Sequence, residues 1–328
     1  MKIVIPGGSG QVGTILARSF VADGHEVVVL SRQPRQAPWR VVVWDGESLG
    51  DWSTELEGAD VVINLAGRSV NCRYNERNRR LIKQSRVKST QVVGQAIENA
   101  VRPPRVWLQM STATIYAHRY DTANDEASGI IGGTEADVPD TWRFSIDVAS
   151  SWEGAAGGFD LPGTRLVIMR MAVNMSPTDN GPFDILAGLV RKRLGGAQGD
   201  GRQFVSWIHD HDMVRAVNWL IDHEEFKGAV NVSSPNPVPN AEFMKTLRNV
   251  CGVSFGLPIK PWMLAIGAVF MKTETELVLK SRRVTPGRLA NSGFVFDYPK
   301  WRDAALELNN RWCQQRNSSD AQRPHGDR

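Results

Sequence analysis

Apolar residues fall in short runs broken by polar or glycine-rich segments, and these runs alternate with stretches of helical spacing. The first run, residues 1–5, meets Gly7 and Gly8 almost at once, and a helical pattern then extends to about Gly24. A second run, residues 27–30, stops at Ser31-Arg32, and a further strand-like segment covers 40–44. After a polar stretch, Ala59-Asp60-Val61-Val62-Ile63-Asn64-Leu65-Ala66-Gly67 reads as a buried strand with a small-residue exit. A long helical pattern over roughly 75–100 ends before Pro103-Pro104. The next strand, 106–110, runs into Ser111-Thr112-Ala113-Thr114-Ile115-Tyr116, and 121–140 is a polar, Gly/Asp-rich loop. A helix through Trp152 and a strand at 165–171 follow. Strands alternating with helices predict an α/β chain built on a doubly wound parallel sheet with right-handed crossovers.

Past Asn174 the pattern changes. Residues 176–201 hold a helix and then a glycine-rich stretch. A strand at 204–209 leads into a helix starting at Asp212, and a short strand covers 229–232. The remainder to about Leu308 is mainly helical, with Phe294-Val295-Phe296 as a candidate strand. The expected organisation is a cofactor domain at 1–175 that also receives 204–232. A smaller, discontinuous substrate domain takes 176–203 and 233–310. The tail, 311–328, is polar, lacks apolar periodicity and is expected to be disordered.

Composition narrows the function classes. The 328 residues are 41% hydrophobic and 23% charged, ordinary for a soluble globular chain with a sizeable core. A net charge of +4 is too mild to argue for a nucleic-acid partner. The densest basic stretch, 73–88, reads first as the solvated face of a long helix, second as a phosphate-attracting rim, and only third as a nucleic-acid surface. Cys72, Cys251 and Cys313 are odd in number and far apart, which fits a reducing, cytoplasmic setting without disulfides or zinc. No signal peptide precedes the first strand. The apolar run 262–271 is too short to span a bilayer and is expected to be a buried helix. The expected partner is a small-molecule substrate, with neither nucleic acid nor membrane.

The strand–glycine turn–helix–strand opening carries the most specific chemistry. Gly7 permits the tight exit from the strand, Gly10 lets backbone approach a pyrophosphate, and Gly13 lets the helix pack close on the sheet. The helix N-terminus then presents free N–H groups and the positive end of its dipole to phosphates. The residues expected to face a dinucleotide here are Gly7, Ser9, Gly10, Gln11, Val12 and Gly13, with Leu65, Ala66 and Gly67 passing beside it. A glycine-rich turn without ligand is the alternative. An acidic residue at the end of the second strand would select NAD; this chain has Ser31 and Arg32 there, with Arg35 close behind, so NADP(H) is the expected cofactor. Arg32 could instead be simply solvated. Asp45 could bind the adenine amino group or serve as a turn residue.

Taken in order, these motifs resemble a known family. They are Gly7-x-x-Gly10-x-x-Gly13, Asn64-Leu65-Ala66-Gly67, Ser85-Arg86-Val87, Ser206-Trp207-Ile208-His209 followed by Asp212, Asn236-Pro237-Val238 with Asn240-Ala241-Glu242-Phe243, and Arg283-Val284-x-Pro286-x-Arg288-Leu289. The chain resembles the extended short-chain dehydrogenase/reductases, or NAD-dependent epimerases/dehydratases, and within them the atypical sugar-nucleotide-epimerase-like branch. The resemblance covers nearly everything up to Leu308. It implies an NADP-binding Rossmann domain, a smaller C-terminal substrate domain, and hydride transfer on a sugar nucleotide or small carbonyl compound held between them. It also allows a homodimer through the long helices.

Two departures stand out. Pro6 replaces the Thr that normally opens the glycine motif, so the joint must do without an N–H. The superfamily's Tyr-x-x-x-Lys pair, in which the Lys lowers the Tyr pKa for proton transfer, is absent. Tyr74, Tyr116, Tyr120 and Tyr298 have no Lys four positions on, and the dyad positions fall near Ser145 and Ala149. What remains is Thr112, at the superfamily's hydrogen-bonding Ser/Thr position, with Tyr116 or His118 as the proton source. Thr112 could equally cap a strand end, Tyr116 could be packing, and His118 a loop residue. The competing reading of the whole is a non-catalytic NADP(H)-sensing or regulatory scaffold. His209-Asp210-His211-Asp212 looks like a metal cluster but fits a strand-to-helix joint with Asp212 as the cap better.

Overall fold

The structure is a computed structural model that describes residues 1–260 and 274–321. The chain opens with β1 (Lys2–Pro6), α1 (Gln11–Ala22), β2 (Glu26–Ser31), β3 (Arg40–Val43) and β4 (Val61–Asn64). It continues through α2 (Glu76–Glu98), β5 (Val106–Thr112), α3 (Asp140–Gly157), β6 (Arg165–Met171) and β7 (Val173–Met175). Then follow α4 (Pro182–Arg191), β8 (Phe204–Val205), β9 (Trp207–His209), α5 (Asp210–Asp222), β10 (Gly228–Val232), β11 (Val238–Pro239) and α6 (Asn240–Val250). Short helices at Glu276–Leu279 and Gly287–Asn291 and a long one at Trp301–Ala321 complete it.

One seven-stranded parallel sheet has the order β10-β6-β5-β4-β1-β2-β3. Its strands are apolar on both sides because helices cover both faces. Ile3, Ile5, Val27 and Val29 face a core shared with Leu16 and Phe20 of α1 and Met213, Val217 and Leu220 of α5. Their neighbours Val4, Val28, Leu30 and Val62 face the other way, against Val92, Val93, Ala96 and Ile97 of α2 and Trp107 of β5. The period of two along each strand thus feeds two separate cores.

A third core lies outside the sheet. Met175, Phe183, Trp207, Phe243, Trp301 and Leu308 join the β7–β9 pair to α4, α6 and the last helix. Phe243 stacks on Trp301 at 4.0 Å between centroids, and Trp207 meets Trp301 edge-on at 5.1 Å. No described helix is long and apolar enough to cross a membrane.

Several elements differ from their sequence patterns. The strand expected at 204–209 divides at Ser206, because Phe204–Val205 pair with β11 and Trp207–His209 pair with β7. The helix expected from Asp212 starts two residues earlier. His209 is its cap, Nδ1 accepting from the His211 amide at 3.1 Å. Asp212 instead accepts the amides of Asp297 and Tyr298, both at 2.9 Å. The same carboxylate brings a ligand atom within 4.8 Å of those of His211 and Asp297. Residues 294–296 form no strand; Phe294 packs edge-on against Trp219 and Phe296. The last helix runs to Ala321, so 311–321, expected to be disordered, are helical. Trp312 holds that stretch by donating to Asp184 at 2.7 Å. The helix expected at 262–271 lies outside the described residues.

Candidate active site

The glycine turn is built from close backbone approaches. Gly7 has φ +74°, and a Cβ there would lie 2.5 Å from the Ala66 Cα. A Cβ on Gly13 would lie 2.4 Å from the Gly8 Cα, so only glycine lets α1 sit this close to the turn. Gly10 is different: its Cβ would meet nothing nearer than the Gly7 carbonyl at 4.0 Å. The space over Gly10 is open, and no side chain caps the α1 N-terminus, so its leading amides face outward. Pro6 is accommodated because its carbonyl accepts the Leu65 amide at 2.8 Å and the next N–H, that of Gly7, donates to Leu30 at 2.9 Å.

A groove of about 320 Å³ opens here, lined by Gly7, Ser9, Gly10, Ser31, Arg32, Asp45, Leu65, Ala66 and Gly67 among others. Open backbone amides at a helix N-terminus, a cation at the β2 end and a cradle that a Cβ would fill all fit a dinucleotide with an extra phosphate. Arg35 braces the turn, donating to the Ser9 carbonyl at 2.8 Å. Asp45 accepts the amides of Glu47 and Ser48 at 2.8 and 2.9 Å and the Ser48 hydroxyl, bonds that hold its carboxyl below its ordinary range. It is thus a turn residue that also borders the groove. Three residues of the expected set do not line it. Val12 packs on the core, Gly13 serves helix–turn packing, and Gln11 lies against Gly181 with its Nε2 buried and without a partner among the described residues.

The wall beside the groove is a buried polar lattice. Asn64 donates to Gln109 at 2.9 Å and to Thr90 at 3.3 Å, and its Oδ1 accepts the Ala66 amide at 3.1 Å. Trp152 of α3 donates to the same Thr90 hydroxyl at 3.0 Å. These bonds fix the path of Leu65-Ala66-Gly67. On its far side Arg86 of α2 packs so close that a Cβ on Gly67 would lie 3.2 Å from its side chain.

Beyond that wall is a second cavity of about 130 Å³. Thr112 and Thr114 border it from the end of β5, Ser145, Val148 and Trp152 from α3, and Tyr74, Ile82 and Arg86 from α2 and its approach. Glu276 and Arg282 come from the C-terminal segment, which Glu274 ties down by accepting the Tyr74 amide at 2.7 Å. Ser145 donates to Glu276, whose carboxyl burial raises above its ordinary range. Burial, and next the Glu276 charge, push the Tyr74 phenol up to about 12, with a Ser145 side-chain hydrogen bond acting in the opposite sense. Lys280 sits behind, donating to the Thr114 carbonyl at 2.7 Å, and burial brings it down to about 8.

Of the catalytic residues expected from sequence, Thr112 borders this cavity while also accepting the Thr114 amide at 3.2 Å. Tyr116 is not brought to it. Its hydroxyl donates to Asn231 at 2.9 Å and accepts from Arg170 at 3.0 Å, in a network where Arg170 holds Glu153 by two bonds. His118 is also turned elsewhere, Nδ1 accepting the Ser281 amide at 2.8 Å, and burial, then Lys280, lower its pKa. The cavity's ionisable set, Tyr74, Arg86, Glu276 and Arg282, was missed. The available signals were Ser145 at the vacated Tyr position and the Ser85-Arg86-Val87 motif; nothing in spacing links either to residue 276.

The family model for the NAD dependent epimerase/dehydratase family matches residues 3–233, and a domain of unknown function matches 262–308. The epimerase family protein SDR39U1 of Homo sapiens is 29% identical over 94% of this chain and 99% of its own length. The epimerase family protein YfhF of Bacillus subtilis is 30% identical over 94% and 98%. The crystal structure of human SDR39U1 (isoform2) with NADPH superposes with a TM-score of 0.81 at 28% identity, covering 94% of this chain and 99% of that one.

Proposed function

Because the chain belongs to the NAD dependent epimerase/dehydratase family, we propose that it binds NADP(H) and catalyses hydride transfer at a carbonyl or carbinol carbon of a small substrate. One observation carries this reading: the dinucleotide groove and the second cavity adjoin, since Gly67 borders the groove and Arg86, which a Cβ on Gly67 would meet at 3.2 Å, borders the cavity. Hydride transfer requires the cofactor ring to reach past Gly67, with nothing between it and the substrate carbon. The NADPH in the human relative's crystal structure and Arg32 at the β2 end support the phosphorylated cofactor.

When bound, the nicotinamide supplies the hydride to the carbonyl carbon, or takes it back. Thr112 orients the substrate oxygen. As the C=O π pair moves onto that oxygen, a hydroxyl proton from the Tyr74–Ser145 pair goes to it, giving the alcohol. After the product leaves, a proton from water entering the cavity restores the hydroxyl, while Glu276 accepts from Ser145 and holds it in place. A phenol pushed up to about 12 stays protonated at neutral pH, the form that can give a proton to the substrate oxygen. The missing Tyr-x-x-x-Lys pair favours a second reading, an NADP(H) sensor without turnover.

Titrating the protein with NADPH and with NADH, following energy transfer from Trp to nicotinamide, tests the first claim. NADPH binding at least tenfold tighter is expected, and binding of neither would overturn it. Nicotinamide absorbance with a panel of carbonyl compounds and sugar nucleotides then separates enzyme from sensor.

A further inference from the structure

The second cavity holds more positive than negative charge, and one of its cations has no carboxylate to answer it among the described residues. Arg86 lies in α2 with its Nη1 donating to the Arg68 and Ile82 carbonyls, at 3.0 and 3.1 Å, and its guanidinium over the Trp152 ring at 4.9 Å. Those partners are neutral. Among the described residues no carboxylate stands within ion-pair distance of it, and the one acidic group that acts on its titration is the Tyr74 phenol, which is neutral at neutral pH. Burial lowers it to about 10, so it is still charged at neutral pH. The cavity's other guanidinium, Arg282, has Glu276 at 3.9 Å, a carboxyl already bonded to Ser145 and inclined by burial to take up a proton.

A half-buried guanidinium with no carboxylate partner is costly to keep, and one that faces a cavity is a candidate for completion by an anionic ligand. The cofactor is not that ligand. The groove is bordered by Arg68, Ser85 and Ser89 but not by Arg86, whose open side is on the second cavity. The rest of that cavity's wall is largely apolar: Val70, Ile82, Phe144 and Val148.

We propose that this cavity takes a small carbonyl compound bearing a carboxylate, with the anion paired to Arg86 and an aliphatic body against Val70, Phe144 and Val148. The proposal rests on the hydride-transfer reading for its carbonyl, but not for its charge. Guanidinium–carboxylate pairing is charge-assisted and can be bidentate, so it both orients the substrate and rejects its uncharged analogue. The carbonyl then falls between Arg86 and Thr112, beside Gly67.

The test is calorimetric titration of the protein, with and without saturating NADPH, using 4-methylpentanoate and its neutral isostere 4-methylpentanamide. The acid is expected to bind at least tenfold more tightly than the amide. Arg86→Met should remove that preference and Arg86→Lys should keep part of it, each compared at its own saturating NADPH because Arg86 also bonds the Arg68 carbonyl beside the groove. Equal binding of acid and amide, no binding of either, or a preference that survives Arg86→Met would each overturn the proposal. Should Arg86→Met fail to fold, loss of the preference in Arg86→Gln serves instead. Failure of NADPH to bind while the acid still binds would count against the hydride-transfer reading alone. With NADPH present, 4-methyl-2-oxopentanoate should oxidise the cofactor, and the corresponding aldehyde, 3-methylbutanal, should do so at least tenfold more slowly.

Discussion

The dinucleotide groove and the second cavity sit on either side of Gly67, yet they are made of different material. The groove is backbone: amides at the start of α1, glycines whose missing Cβ atoms leave room, and a loop held by Asn64. The cavity is side chain: a phenol, three hydroxyls, a carboxyl and two guanidiniums gathered from α2 and its approach, α3, the end of β5 and the segment near 276–282. A backbone site tolerates no substitution at its tightest glycines but asks little of its other residues. A side-chain site can exchange its chemistry without disturbing the sheet, and here Ser145 and Ala149 of α3 stand near the positions of the superfamily's Tyr–Lys pair.

The sharpest way to break this contrast is to place side chains in the backbone site. Gly13→Val puts atoms where the Gly8 Cα already stands at 2.4 Å. It should cost about 3 kcal/mol or more by overpacking, read as a fall in denaturant midpoint together with loss of NADPH binding. Gly10→Ala is the control that sharpens it. Its Cβ enters open space, so the midpoint should hold while NADPH affinity drops about tenfold, roughly 1.4 kcal/mol. A midpoint that falls with Gly10→Ala would show that the turn is fully packed and has no room for phosphate.

Tyr116→Phe tests whether that hydroxyl is structural. Its removal leaves Asn231 and Arg170 each short of a partner and should destabilise by about 1–3 kcal/mol, with NADPH affinity unchanged. A turnover loss beyond that explained by unfolding would instead return Tyr116 to the chemistry.

The smallest expected effect is a slope. Burial raises the folded-state pKa of Glu276, so between the ordinary value, 4.5, and the raised one the native state binds more protons than the unfolded chain. Stability contributed by this group is therefore lost as pH climbs through that window. Glu276→Gln should flatten that part of the stability–pH curve, visible in urea midpoints taken across it; an unchanged slope would mean that Glu276 titrates normally.

The same contrast explains what could be read from the amino acids. Gly7, Gly10 and Gly13 are legible because a backbone contact demands glycine at a fixed distance from a strand, and periodicity placed that strand. The sheet was legible for the same reason, since apolar runs of strand length record burial on both faces. Asp212 misled because a carboxylate before a helix looks like a cap, whereas here it holds the amides of residues 297 and 298 far along the chain. The polar last helix escaped because its anchor, Trp312 on Asp184, joins residues 128 apart. Of the cavity only Thr112 was legible as a site residue; the rest was not, because no local spacing predicts that residue 276 will bond residue 145.

That long tie also sets a schedule. A ribosome adds about 5–20 residues per second, so strands β1 to β5 and the groove emerge on the order of ten seconds or more before the segment carrying Glu276 and Arg282. Until Glu274 reaches the Tyr74 amide, 200 positions back, the wall that Glu276 and Arg282 give the second cavity is missing. The groove's residues are all made long before the last of the cavity's are.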